Sequence, residues 1–183
     1  RDLDYAFYGD SGITQCDFLQ YGVTHIGDSA FEGTKLHCQL DIPSGTQTIG
    51  SRAFHRVPIS FLNIADSVTT IGSDAFAMCN SLSEVTIGTG ITSIGQAAFY
   101  KSDPATYGIQ KFTIYAPTPP TLGSGAISLA NFAGDQFGRI YVPCEYVDTY
   151  KNASGWSSYA SKIAGLGACS GESQPSSYFV IES

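Results

Sequence analysis

Hydrophobic positions along this chain recur in a fixed phrase. It reads Ile26-Gly27-Asp28-Ser29-Ala30-Phe31, then Ile49-Gly50-Ser51-Arg52-Ala53-Phe54, Ile71-Gly72-Ser73-Asp74-Ala75-Phe76 and Ile94-Gly95-Gln96-Ala97-Ala98-Phe99. Its glycines step by 23, 22 and 23 residues (27 to 50 to 72 to 95). A period in the twenties predicts a stacked solenoid, in which each coil buries its apolar face only against its neighbours. The constant Ile and Phe are predicted to be core, with the Phe rings stacked into one aromatic ladder. The constant Gly predicts a turn that needs positive φ or close approach between coils. The two variable residues read as solvent-facing, and one helical turn is expected around each Ala-Phe.

A second pattern precedes each phrase. Seven residues before the motif Ile stand Ile42, Ile64 and Ile87, and nine before it Leu40, Leu62 and Val85. Alternation of period two predicts a short half-buried strand in each coil, aligned with its neighbours in a parallel sheet. The first coil carries Ile13, Cys16 and Phe18, and a fifth strand, Ile109-x-x-Phe112-x-Ile114, has no phrase after it. Residues 1–12 read as a strand-like N-terminal cap. Asp103-Pro104 and Tyr107-Gly108 mark residues 101–108 as a surface loop.

Ala116-Pro117-Thr118-Pro119-Pro120 takes the chain out of the sheet, because proline cannot donate to its ladder. Residues 121–138 read as a loop or degenerate coil, with Phe132 or Phe137 in the ladder position. The segment 138–143 is predicted to be a strand with Ile140 and Val142 inward. A helix is expected over Glu145 to Ala153, burying Val147 and Tyr150. Trp156, Tyr159 and Ile163 should seal that end. Residues 164–177 read as a linker or loose wrap, and Tyr178-Phe179-Val180-Ile181 as an edge strand. This gives three parts in one structural domain: an N-terminal cap (1–12), the repeats (13–116), and a C-terminal cap and tail (117–183).

The run Val68-Thr69-Thr70-Ile71-Gly72-Ser73-Asp74-Ala75-Phe76-Ala77-Met78-Cys79-Asn80-Ser81-Leu82 resembles the BspA-like leucine-rich repeats of Bacteroides-type cell-surface proteins. The likeness covers residues 13–116, and 140–156 resembles an ending that such proteins carry. It implies an α/β fold: a right-handed leucine-rich-repeat solenoid of about five coils of 22–23 residues, with a parallel sheet of short strands and caps at both ends. It also implies extracellular or cell-surface display, with a lipid anchor on a longer precursor, and adhesion to a host matrix protein, a glycan or a neighbouring cell.

Composition narrows the chemistry. Charged residues make up 14%, and the net charge of −7 lacks the basic footprint that nucleic-acid binding needs. No apolar run is long enough to span a membrane. The chain starts at Arg1 rather than Met, which fits a mature or trimmed protein. The five cysteines (Cys16, Cys38, Cys79, Cys144, Cys169) form no CxxC and no metal spacing. They read as buried free thiols, and a Cys16–Cys38 disulfide is the alternative if adjacent strands bring the two together. His25, His37 and His55 occupy different places in the coil, so stacking does not align them. No nucleophile, acid–base or phosphate-binding motif occurs, so neither catalysis, a metal nor a cofactor is expected. Asn152-Ala153-Ser154 is a glycosylation sequon, read as idle.

The remaining surface is the outward face of the strands. Gln15, Gln39, Phe61, Glu84 and Lys111 form one row, and Asp17, Asp41, Asn63, Thr86 and Thr113 the other. Extended strand faces of repeat proteins serve binding, and Phe61 is the natural anchor. The expected function is therefore a non-enzymatic, monomeric surface or secreted binding protein with a protein or glycan partner. The alternative is a structural spacer that displays another domain and binds nothing.

Overall fold

The computed structural model describes residues 4–16, 22–101, 109–127 and 138–169. Two parallel sheets run through it. One holds the expected four-residue strands: β2 (Gln39–Ile42), β4 (Phe61–Ile64), β6 (Glu84–Ile87), β8 (Lys111–Ile114) and β10 (Arg139–Val142), closed by β11 (Ile163–Gly165). Register is one residue per residue, so Leu40, Leu62, Val85, Phe112, Ile140 and Ile163 form one inward row.

The second sheet was not expected. It consists of two-residue strands that contain the phrase Ile: β1 (His25–Ile26), β3 (Thr48–Ile49), β5 (Thr70–Ile71) and β7 (Ser93–Ile94), with β9 (Thr121–Leu122) at its edge. Between the sheets lies one core in which Ile26, Ile49, Ile71 and Ile94 are almost wholly buried.

The Ala-Phe segments are turns, not the helical turn expected. They form a third ladder: Ser29, Phe31 and Gly33 donate backbone N–H bonds of 2.7–2.9 Å to the carbonyls of Ser51, Ala53 and His55 in the next repeat. Arg52, Phe54 and Arg56 repeat this on Ser73, Ala75 and Ala77, and so on along the stack. The residue before each Ala takes positive φ: Ser29 (52°), Arg52 (57°), Asp74 (56°) and Ala97 (51°). Left-handed backbone costs a non-glycine residue about 1–2 kcal/mol, which the inter-repeat bonds offset. The motif glycines have a different task. A Cβ on Gly72 would lie 2.5 Å from the Ser51 nitrogen, and one on Gly95 2.5 Å from the Ser73 nitrogen. Close approach, not positive φ, requires them.

Phe31, Phe54, Phe76 and Phe99 stack face to face at centroid distances of 5.0–5.5 Å, as the periodicity predicts. The ladder also runs further at each end. Residues 4–10 are turns rather than the expected strand: Tyr5, Phe7 and Gly9 donate to Asp28, Ala30 and Glu32, Tyr5 has the same positive φ (51°), and Phe7 stacks on Phe31 at 5.2 Å. After Phe99 the phrase recurs in altered form as Leu122-Gly123-Ser124-Gly125-Ala126-Ile127, with Ile127 fully buried in the ladder position. Phe132, Phe137, Phe18, the 102–108 loop and the 170–183 tail lie outside the described residues.

Beyond β10, a short 3-10 turn (Cys144–Tyr146) leads into α1 (Val147–Asn152), which buries Val147 and Tyr150 as its spacing predicts. Residues 163–165, partly read as linker, instead pair with β10 as β11. The free-thiol reading fails for four of five cysteines. Cys16 joins Cys38, and Cys144 joins Cys169. The stacking of successive repeats brings the first pair together, at a Cα–Cα distance of 6.3 Å. The second closes a loop around β11 at 5.4 Å. Cys79 alone among the described cysteines is free. It is fully buried with its Sγ 3.1 Å from the Phe54 carbonyl, and burial pushes its thiol up to about 12, so it is inert.

Candidate recognition surface

Strand alternation decides which side chains face outward. With Leu40, Leu62, Val85, Phe112 and Ile140 turned inward, the residues before them line up as Gln39, Phe61, Glu84, Lys111 and Arg139. The residues after them give Asp41, Asn63, Thr86, Thr113 and Tyr141. Steps along each row are about 4.8 Å. The structure thus brings eight of the expected residues onto one face and adds Arg139 and Tyr141. Gln15 is exposed but lies in no strand, and Asp17 lies outside the described residues.

The face is uneven in chemistry. At its N-terminal edge, Asn63 Nδ2 donates to Asp41 Oδ1 at 2.6 Å and Gln39 Nε2 donates to the same oxygen at 3.1 Å. This cluster is satisfied within itself. Phe61, 44% exposed, is the register neighbour of Gln39 on one side and of Glu84 on the other. Further along, Lys111 and Arg139 are direct neighbours in register. Lys111 leans along its strand until Nζ is 6.0 Å from the centroid of the Tyr141 ring. Thr113 is a correction to the expected accessible row: it is only 2% exposed. It is a short side chain whose register neighbour is Tyr141, the ring that Lys111 approaches. Its Oγ1 has no hydrogen-bond partner.

The histidines do not converge, in line with the expectation. His25 Nδ1 lies 2.7 Å from Thr48 Oγ1, and His37 is exposed. His55 nevertheless meets a group that the sequence reading passed over. Residues following each ladder Phe form a column, which places Glu32 beside His55 in the next repeat. Glu32 Oε1 lies 3.2 Å from His55 Nδ1, and Glu32 accepts hydrogen bonds from Arg52 (Nε, 3.0 Å; Nη2, 2.5 Å) and from Ser29 Oγ (2.8 Å). Ser29, read as solvent-facing, is buried because it completes this cluster. Serine and histidine both address the carboxylate rather than each other, so the cluster lacks the nucleophile–base contact that activates a hydroxyl. It is a polar staple between two repeats. Among the described residues, no group of three His, Cys, Asp or Glu could hold a metal.

The staple makes acid sensitivity predictable. The Arg52 guanidinium holds the Glu32 carboxyl down at about 2, despite partial burial. Burial, then the Arg52 charge, depresses the His55 imidazole. A depressed carboxyl contributes stability above its unfolded value of about 4.3, lost as pH falls towards 2. A depressed imidazole adds a loss that begins below about 6.5. Thermal unfolding should therefore show the chain weakening from pH 7 to pH 3. Glu32→Gln should be less stable than wild type at pH 7 and close to it near pH 2. A constant deficit across that range would remove Glu32 from this role.

Tandem short strands in register, with buried aliphatic rows and an outward polar face, define a leucine-rich-repeat protein. The family model for the BspA type leucine rich repeat region matches residues 3–116 in six copies, and the chain belongs to that family. Repeats of this family generally serve as non-enzymatic protein-interaction modules. No curated protein matches the chain. Among the described residues, no helix is long and apolar enough to cross a membrane.

Proposed function

We propose that this protein is a surface or secreted adhesion module that binds a protein partner through the outward face of β2, β4, β6, β8 and β10. The observation that carries the reading is Phe61. It is a large aromatic, 44% exposed, at the centre of the β2–β4–β6 stretch and flanked in register by Gln39 and Glu84. Exposed aromatics set among polar groups are the residues most often found to anchor interfaces. The repeats support this reading by holding the face rigid: every strand is bonded to its neighbours, and its reverse side is core. Rigid presentation lowers the ordering cost of association. In this reading the architecture is a right-handed solenoid, with the recognition region within the repeats.

The test is binding of the purified chain to arrayed matrix proteins and glycans, with Phe61→Ala and Glu84→Lys alongside. Loss of roughly tenfold or more in affinity at unchanged melting temperature supports the strand-face reading. Binding retained in both variants moves recognition away from this face. If wild type binds nothing, a spacer role replaces adhesion.

A further inference from the structure

The C-terminal half of the strand face carries an arrangement that folding alone leaves unexplained. Lys111 on β8 and Arg139 on β10 are register partners, so two cations stand about 4.8 Å apart at the backbone. Like charges at that spacing repel. Glu84, on the other side of Lys111 in the same row, forms no ion pair with it, and Arg139 Nη1 donates only to the Gly138 carbonyl. Two residues on from Lys111 along β8, and in register with Tyr141, lies Thr113, whose buried hydroxyl has no partner among the described residues. Leaving a buried polar atom unpaired is costly, and native structures rarely tolerate it without a reason. The Tyr141 ring borders the same spot, with Lys111 Nζ 6.0 Å from its centroid.

We infer that Lys111, Arg139 and Thr113 form a subsite for a carboxylate carried by an acidic segment of a protein partner. The carboxylate takes charge-assisted hydrogen bonds from the two cations. Lys111 moves off the Tyr141 ring to reach it, which uncovers Thr113 and supplies an acceptor for its hydroxyl. The inference rests on the sheet face being a recognition surface, and it deepens that reading by fixing polarity. Phe61 lies two strand steps from Lys111, about 10 Å. A peptide crossing the strands in the polyproline II conformation covers about that distance in three residues, one full turn, which puts its first and fourth side chains on the same side. The fitting segment therefore has an apolar side chain on Phe61 and a carboxylate three residues further on. Glu84, between them, repels an acid placed one step short.

The probe is an acetylated, amidated Phe-Gly-Gly-Glu peptide, compared with Phe-Gly-Gly-Gln and with sialyllactose, titrated into the full chain by two-dimensional NMR. The Glu peptide should shift the signals of Lys111, Thr113, Arg139 and Tyr141, and the Gln peptide should bind roughly tenfold more weakly. Lys111→Gln and Arg139→Gln should each erase that difference with no loss of melting temperature, and the isosteric Thr113→Val should reduce it while raising the melting temperature, because it removes a buried unpaired hydroxyl. Equal binding of the Glu and Gln peptides, with Phe61 still responding, overturns the carboxylate subsite and leaves the face reading standing. A Glu-dependent shift at Lys111 with Phe61 silent keeps the subsite and removes Phe61 as anchor. Binding of sialyllactose without the peptide overturns the protein-segment assignment in favour of an acidic sugar.

Discussion

Phe76→Ala is expected to lower the free energy of unfolding by about 3–5 kcal/mol. Phe76 is 1% exposed and stands between two parallel rings, Phe54 at 5.3 Å and Phe99 at 5.5 Å. Truncation forfeits both contacts and leaves a void where the ring was. The cost of such a void depends on how far the surroundings can collapse into it. Here they cannot move far. Gly72 already has its α-carbon so close to the preceding repeat that a Cβ would sit 2.5 Å from the Ser51 nitrogen. The turn ladder, with bonds from Phe54 to Ala75 and from Phe76 to Ala98, fixes the repeat spacing as well. Phe76→Leu, which refills much of the volume, should cost less. Urea denaturation followed by far-ultraviolet circular dichroism measures both. A loss below about 1 kcal/mol for the alanine variant would mean that the ring is not a core element.

What could be read from the sequence divides along a physical line. Features fixed by a residue's own chemistry, repeated four times, were legible: the core Ile and Phe, the ring ladder, the four-residue strands and the need for glycine. Features fixed by what a residue meets in the next repeat were not. The left-handed residues that precede the motif Ala are Ser29, Arg52, Asp74 and Ala97. They share a backbone conformation and no chemistry, so variability at that position read only as exposure. The second sheet escaped because strands of two residues leave no alternation to detect. The ladder's ends escaped because each phrase is degraded there: Asp4-Tyr5-Ala6-Phe7 keeps only its last half, and Ile127 replaces the ring.

The outward strand face follows the same division. Period-two alternation placed Gln39, Asp41, Phe61, Asn63, Glu84, Thr86 and Lys111 outward, as they are. Arg139 and Tyr141 were missed because the strand carrying them lies outside the repeat period. Their signal was nevertheless present: Ile140 and Val142 were expected inward, and one further counting step puts Arg139 and Tyr141 outward. The burial of Thr113 had no such signal, since alternation alone puts it on the same row as the accessible Asn63 and Thr86. The Glu32–His55 contact did have one. Both residues directly follow a ladder Phe, so the repeat period alone stacks them in one column.

The second large effect is expected at the other end of the molecule, where Trp156→Ala should cost about 3–5 kcal/mol. Trp156 is fully buried and packs edge-on to Tyr150 at 4.9 Å. The segment from Ala116 to Pro120 leaves the first sheet, and its prolines bring no N–H to a ladder. Its carbonyls still need donors. Trp156 Nε1 donates to the Pro120 carbonyl at 2.8 Å, and the Tyr150 hydroxyl donates to Ala116 at 2.9 Å. The aromatic pair thus fills the space beside the crossing and satisfies its polar atoms. The two roles can be separated. Trp156→Phe keeps much of the ring and deletes the donor, and should cost about 1–3 kcal/mol through the unpaired carbonyl. Tyr150→Phe, which deletes only the hydroxyl, should fall in the same range. Hydrogen exchange at Ile140 and Ile163 reads where the loss is felt. If the aromatic pair anchors β10 and β11 to the repeats, these amides exchange faster in Trp156→Ala while those of Leu62 and Val85 keep their protection. Uniform acceleration across all four would instead mean that the end and the repeats unfold as one cooperative unit.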